Sequence, residues 1–305
     1  MKLTIATCQF PVDADIRRNR AYISRQLRTA KARGAQVAHF PEGALSGYAG
    51  VDMPSFNGFD WDQLQEATRE IRTMAGQLRL WVILGSAHRL TGAHKPHNCL
   101  YLINERGELI DRYDKMFCAG DRTGKTGDLA RYTPGNHFCV FDLHGVRCGA
   151  LICHDYRYPE LYREYKRRGV QLMFHSYHAA HVQPGRFNRL RANVGLDLQA
   201  LNPGGTIPGI TMPATMQSNA ANNYMWISCP NSSARESCWA GFFVRPDGVM
   251  TGQLRRNVAG ILISTVDTNH HWYDSTVAWR ERAMRGIYHS GTVVRDRRSD
   301  ERTRS

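Results

Sequence analysis

Three residues of the chain have side chains suited to acyl chemistry and positions that put them at the ends of apolar runs. Glu42 follows QVAHFP, Lys115 closes DRYDK, and Cys153 closes GALIC just before the polar run HDYRYPE. A carboxylate, an ammonium and a thiol are a base, a cation for a developing oxyanion and a nucleophile. An amide carbon needs a strong nucleophile, and a free thiol at neutral pH is mostly protonated until a base or cation favours the thiolate. Each residue also has an ordinary reading. A glutamate after a strand is commonly a surface residue, a lysine after DRYD a solvated charge, and a cysteine in an apolar strand part of the core.

The elements that must carry these residues are legible in the hydrophobic pattern. LTIATCQF reads as a strand, AYISRQLRTAKARGA as a helix stopped at Gly34, and QVAHFPE as a short buried strand with Glu42 at its carboxyl end. Open α/β sheets collect their chemistry at such ends. A second helix runs through WDQLQEATREIRTMAGQLRL, and strands follow in WVILGSAHRL and, around a Gly107 turn, in CLYLINERGELIDRYDK. FCVFDLHGVRCGALIC is a hairpin turning at His144 and Gly145, and its second strand delivers Cys153. PELYREYKRRGV is helical, and QLMFHS is the next strand. From Tyr177 to about Pro213 the pattern weakens, and the Gly- and Pro-rich ALNPGGTIPGITMP predicts a long functional loop. NYMWISCP, GFFVRPDGVM and AGILISTV resume strands, so the sheets are expected to be mixed.

Composition bounds the function classes. With 305 residues, 42% hydrophobic and 22% charged, the chain has the balance of a globular protein with one large core. MKLTIATCQF is too short and too polar at its end for a secretory core or a membrane span, so a cytoplasmic protein is expected. The eight cysteines include no CxxC pair and are expected to be reduced, mostly buried residues. The net charge of +13 is spread along the chain without a nucleic-acid-binding motif, so no nucleic-acid partner is expected. There is no HExxH, and HSYHAAH (His175, His178, His181) lacks an evident carboxylate or cysteine partner at ligand spacing, so no metal is expected. AGDRTGKT fits the loose form of a phosphate-binding loop. Gly127 and Pro134 spoil the helix that must follow it, and Lys125 reads as a solvated charge.

The segments FPEGALSGY, DRYDK and GALICHDYRYPELYR, in that order, resemble the signature segments of the nitrilase superfamily of carbon–nitrogen hydrolases. The RPDG turn and the strand order fit as well, to about Asp267. The resemblance implies an α/β fold, a four-layer α-β-β-α sandwich with mixed β-sheets, and a catalytic triad of Glu42, Lys115 and Cys153 that needs no cofactor. It also implies a homo-oligomer, a dimer or larger. The hydrolase domain is expected over residues 1–268, with a C-terminal arm over 269–305 that is partly disordered at its end.

On this reading Cys153 attacks a carbonyl, Lys115 and the backbone N–H of His154 hold the oxyanion, and Glu42 moves the protons. Members of the family often carry a glutamate a few residues before a Pro-Gly pair; here GDLARYTPG puts Asp128 at that place. A second departure is NAANN, residues 219–223, where the family often shows Arg-Ala-x-Glu-Asn. Cys-His-Asp-Tyr-Arg-Tyr-Pro-Glu is similar to amidases and carbamoylases rather than to true nitrilases with Cys-Trp-Glu. The expected activity is therefore thiol-dependent hydrolysis of a small linear amide. An N-carbamoyl amino acid, a nitrile, acyl transfer to an amine, and a non-catalytic binding module are the alternatives. Tyr48, Tyr177 and His178 follow strand ends and are candidates for lining the substrate pocket, as is His154. Arg157 either braces the turn after Cys153 or contacts a substrate carboxylate.

Overall fold

The computed structural model describes residues 1–303, and the extreme end of the arm, residues 304 and 305, lies outside them. The chain runs β1 (Lys2–Gln9), α1 (Ile16–Ala32), β2 (Val37–His39), α2 (Trp61–Leu78), β3 (Trp81–His88), β4 (His97–Ile103) and β5 (Leu109–Asp114). It continues with β6 (Val140–Leu143), β7 (Val146–Ile152), α3 (Pro159–Arg167), β8 (Leu172–Ser176), α4 (Pro184–Ala192), α5 (Ile207–Asn223), β9 (Trp226–Cys229), β10 (Phe242–Val244), β11 (Met250–Gln253) and β12 (Gly260–Asp267). Two short helices, α6 (Arg280–Met284) and α7 (Arg297–Asp300), lie beyond the last strand.

The strands form two six-stranded sheets, in the orders β12-β1-β2-β3-β4-β5 and β11-β10-β9-β8-β7-β6. Each has a parallel centre, β1-β2-β3 in one and β7-β8-β9 in the other, flanked by antiparallel strands. Parallel neighbours put successive strand ends on the same edge, and that arrangement brings residues from different strands together.

The two sheets face one another. Trp81 stacks on Phe141 across the interface with ring centroids 6.2 Å apart. A polar ladder crosses the same interface: Thr7 bonds Ser228 at 2.8 Å, and the His39 ring bonds Ser228 at 2.9 Å and Ser176 at 2.8 Å. Burial pushes the His39 imidazole well below its ordinary pKa, so the ring bridges the hydroxyls uncharged. Helices α1 and α2 pack on the outer face of the first sheet through Ile23, Leu27 and Ile71. Helices α3 and α5 cover the second through Leu161, Tyr165, Met212 and Met216. The result is the expected four-layer α-β-β-α sandwich. Among the described residues no helix is long and apolar enough to cross a membrane.

The segment from Tyr177 to Pro213 departs from the expected long loop, for it holds α4 and the first part of α5. Thr206 caps α5 by accepting from Gly209 N at 3.1 Å, and Pro208 sits in the first turn, where its missing N–H costs nothing. Pro213 lies within the helix. The proline and glycine content that reads as a loop thus marks a helix start.

Candidate active site

Glu42, Lys115 and Cys153 meet where the ends of β2, β5 and β7 converge. Two glycines allow the close approach. A Cβ on Gly85 of β3 would lie 1.9 Å from the carbonyl oxygen of Pro41, and one on Gly135 would lie 2.2 Å from that of Asp114. Each therefore clears the backbone next to a candidate catalytic residue.

The Lys115 ammonium donates to Glu42 Oε1 at 2.8 Å and to Asp128 Oδ2 at 2.6 Å. Glu42 and Lys115 are both buried, with at most 1% of the residue exposed. Burial alone would lower the Lys115 pKa, but Glu42 and the neighbouring acidic groups outweigh it, and the amine is held charged well above its ordinary range. Asp128 is pulled the other way. Burial would raise it, yet Lys115, the Tyr48 hydroxyl and the Ala119 N–H keep its carboxyl below the usual range. Asp128 opens a 3-10 turn, Asp128–Ala130, and its carboxylate reaches Lys115 from there at 2.6 Å.

Asn98 donates to Glu42 Oε1 at 2.7 Å, the oxygen that also takes Lys115. Among the described residues Glu42 Oε2 has no hydrogen-bond partner, and the Cys153 thiol lies near enough to the carboxylate for its charge to act on it. Burial, then the charge of Glu42, push the thiol pKa well above its ordinary value, against a smaller lowering by Lys115. The raised pKa keeps the resting Cys153 side chain a thiol rather than a thiolate.

Cys153 has φ 44°, in the left-handed region that non-glycine residues rarely occupy, and it begins a 3-10 turn, Cys153–Arg157. Asp155 braces that turn. Its carboxylate accepts from Ile152 N at 3.0 Å, Tyr113 Oη at 2.7 Å and Phe117 N at 2.8 Å, tying the Cys153 turn to the segment after Lys115. Burial pushes this carboxyl up to about 6 despite those donors, so it is charged at neutral pH. The His175 ring donates to the Cys153 carbonyl at 3.2 Å and is itself fixed by Tyr162. Burial takes its pKa down to about 3, which leaves it a neutral donor.

The remaining candidates are placed unequally. The Tyr48 hydroxyl donates to Asp128, and its ring lies 5.7 Å from the Lys115 nitrogen. His178 stacks on Tyr48 at 5.3 Å. Tyr177 is buried against His175, 4.5 Å away, and its carbonyl accepts from Glu42 N at 3.3 Å. His154 is half-buried edge-on to Tyr158, and burial followed by Lys115 lowers its pKa. Arg157 stands apart: it is exposed, with its guanidinium 4.5 Å over the Tyr156 ring. Lys125 is exposed in a loop, followed only by the three-residue 3-10 turn Asp128–Ala130.

Sequence reading missed Asn98 and Asp52. Asp52 is the carboxylate partner that HSYHAAH lacks along the chain: His178 Nε2 lies 3.0 Å from one of its oxygens and His181 Nδ1 2.7 Å from the other. No sequence spacing signals a partner that lies more than a hundred residues away. Among the described residues no group of three or more His, Cys, Asp or Glu is arranged to hold a metal ion.

A cavity of about 530 Å3 opens beyond Trp239, lined also by Phe187, Arg191, Thr206 and Arg256. Glu42, Lys115 and Cys153 do not line it. Trp239 separates it from Tyr177, against which it packs edge-on at 5.5 Å.

The family model described as carbon-nitrogen hydrolase matches residues 4–271. The omega-amidase NIT2 of Pongo abelii is 30% identical over 166 residues, which cover 53% of this chain and 55% of the relative. The deaminated glutathione amidase of Yersinia enterocolitica is 28% identical over 178 residues, 55% of this chain and 60% of the relative. The chain thus matches little more than half the length of these curated relatives. Among solved structures, an amidase from Nesterenkonia sp. superposes with a TM-score of 0.70 at 22% identity, covering 93% of this chain and 95% of that one. A mutant of the Nesterenkonia sp. AN1 amidase that carries the acetamide moiety of fluoroacetamide on its active-site cysteine gives a TM-score of 0.67 at 22% identity, covering 87% and 90%.

Proposed function

The chain belongs to the carbon–nitrogen hydrolase family, and from that premise we propose that it is a thiol amidohydrolase acting on small linear amides through a Cys153 acyl-enzyme. The observation that carries this reading is the free Oε2 of Glu42 beside the Cys153 thiol, while Oε1 is engaged by Lys115 and Asn98. One carboxylate oxygen is thereby fixed and the other is left to take a proton.

In the proposed reaction the Cys153 sulfur bonds to the amide carbon as its proton passes to Glu42. The oxyanion is stabilised by the Lys115 ammonium and the His154 backbone N–H. Glu42 returns the proton to the departing ammonia or amine. It then takes one from the water that cleaves the thioester, releasing acid and free thiol. Asp128 holds Lys115 charged and in place throughout. Tyr48, His154, Tyr177 and His178 contribute pocket walls, and Arg157 is assigned to the turn's outer surface rather than to substrate.

The reading extends to a hydrolase domain over residues 1–268, an arm beyond it, and a cytoplasmic homo-oligomer. The arm supports an assembly role because Tyr273, Trp279 and Tyr288 are exposed apolar surface. The test is ammonia release from a panel of short amides, ω-amides, N-carbamoyl amino acids and nitriles, with Cys153→Ala as blank and an amine acceptor added in parallel. Release from amides, lost in the blank, supports the reading. Release from nitriles alone, or product formed only with the acceptor, overturns it.

A further inference from the structure

Asp52 has no part in the reaction just described, yet its side chain is 1% exposed and every polar contact it makes points at the walls of the site. It accepts from the backbone N–H of Tyr48 at 2.9 Å. Its two oxygens also engage His178 at 3.0 Å and His181 at 2.7 Å, from the segment after β8. One carboxylate therefore joins two loops that meet at Tyr48. The His178 contact is an ion pair rather than an aligned hydrogen bond, and among the described residues neither ring nitrogen of His178 has an aligned partner. The ring instead lies against Tyr48, with centroids 5.3 Å apart and planes 30° apart, and Tyr132 stacks on Tyr48 at 5.8 Å. The Tyr132 hydroxyl also accepts from the Ala49 N–H at 2.9 Å, which fixes the same loop.

We propose that Asp52 is a positioning residue for the amidase reaction: through the Tyr48 N–H and the His178 ring paired with it, Asp52 holds the Tyr48 hydroxyl on Asp128, and so holds Asp128 on Lys115. The proposal rests on the amidase reading of the site. Tyr48 is the only link needed, since its hydroxyl donates to the Asp128 oxygen that does not bind Lys115. A cation beside a phenol strengthens its O–H as a donor, and a buried histidine stays cationic only while a carboxylate pairs with it.

The groups that face His178 support a cation. Asp52 and Tyr48 come from the segment after β2, Glu42 from that strand's end and His181 from the histidine's own segment; Lys115, Asp128 and Cys153 lie beyond Tyr48. Burial would lower the His178 pKa, but Asp52, and secondarily Glu42, raise it above the ordinary value. Asp52 is correspondingly held below the usual carboxylate range, since His178, His181 and the Tyr48 N–H outweigh its burial. In the intact protein the His178 charge is therefore lost only as pH rises past its raised pKa. Without Asp52 the buried ring loses its proton at lower pH.

The experiment is the pH dependence of kcat/KM on a neutral short amide for the wild type and Asp52→Asn. Alkylation of Cys153 by iodoacetamide, followed by peptide mass spectrometry, is measured on the same proteins. The alkaline limb of the kcat/KM profile is expected to move down by at least one pH unit in Asp52→Asn, giving a loss of tenfold or more at pH 8 that narrows towards pH 5.5, and Cys153 alkylation is expected to slow over the same range. Asp52→Glu is expected to restore part of the shift. A loss of equal size at every pH would mark a merely structural role and overturn the proposal. Alkylation reads the site without turnover: a shifted alkylation profile in a protein that cleaves no amide would refute the amidase reading while keeping Asp52's hold on the site. NMR titration of His178 in the wild type guards against a variant that does not fold, because a His178 ring found neutral at pH 7 overturns the proposal by itself.

Discussion

Replacing Lys115 by methionine removes the one ammonium that contacts both buried carboxylates of the site, and the structure sets the size of two separate effects. The first is on rate. Loss of an oxyanion donor costs about 10²–10³ in kcat, and Lys115→Met should fall at least that far. The second is on stability. Glu42 and Asp128 sit 2.8 and 2.6 Å from the ammonium in a buried setting, and breaking such a pair by removing one partner costs about 3–5 kcal/mol. With 305 residues, at an unfolding entropy of about 2.1 cal/mol/K per residue, that loss lowers Tm by about 5–8 °C.

The stability effect has a pH signature. In the wild type the Asp128 carboxyl is depressed, so the stability it contributes is present at neutral pH and disappears as pH falls through its folded pKa. In Lys115→Met the buried Asp128 loses that support and becomes easier to protonate folded than unfolded, so the variant regains stability as pH falls. The gap in Tm between the two proteins should therefore be wide at pH 8 and narrow at pH 5. Thermal melts by circular dichroism at both values, with steady-state ammonia release at pH 8, measure this. A kcat within tenfold of wild type, or a gap in Tm that does not change with pH, would refute the reasoning.

Other substitutions probe separate links. Asp128→Asn keeps the shape but not the charge on Lys115, and kcat should drop by roughly tenfold to a hundredfold in the same ammonia assay, since charge-assisted bonds are about twice as strong as neutral ones. Asn98→Ala removes a donor to the Glu42 carboxylate, a bond worth roughly 1.5–3 kcal/mol, and should lower kcat/KM by about tenfold. Gly85→Ala drives a methyl group into the Pro41 backbone, with 1.9 Å available, and should cost roughly 3 kcal/mol in denaturant unfolding as well as displacing Glu42 from the site.

The strand ends were the most readable part of the chain. Apolar runs stopping at Glu42, Lys115 and Cys153 mark local boundaries; the parallel centres place the ends of β2 and β7, and the two antiparallel reversals from β3 through β4 return the end of β5 to the same edge. The hairpin at His144 and Gly145 was equally plain, because both residues take the positive φ that such a turn requires. What escaped the sequence is long-range. Asn98 opens β4 with nothing to distinguish it from a surface amide, and it reaches Glu42 only because the antiparallel β3–β4 pair returns it to the edge. Asp52 reads as one more acid in a loop, and the histidines it pairs with are supplied by the other sheet. The helices between Tyr177 and Pro213 were hidden by their prolines, whose effect depends on whether they fall in a first turn or an interior.

The central claim is that Cys153 carries the acyl group during turnover. Acid-quenching the wild-type protein while it hydrolyses a short amide, then mapping its peptides by mass, tests that claim directly. The account predicts a thioester on the peptide containing Cys153, heavier by the acyl group less one hydrogen, and neither adduct nor ammonia from Cys153→Ala. Sustained ammonia release by Cys153→Ala would contradict it.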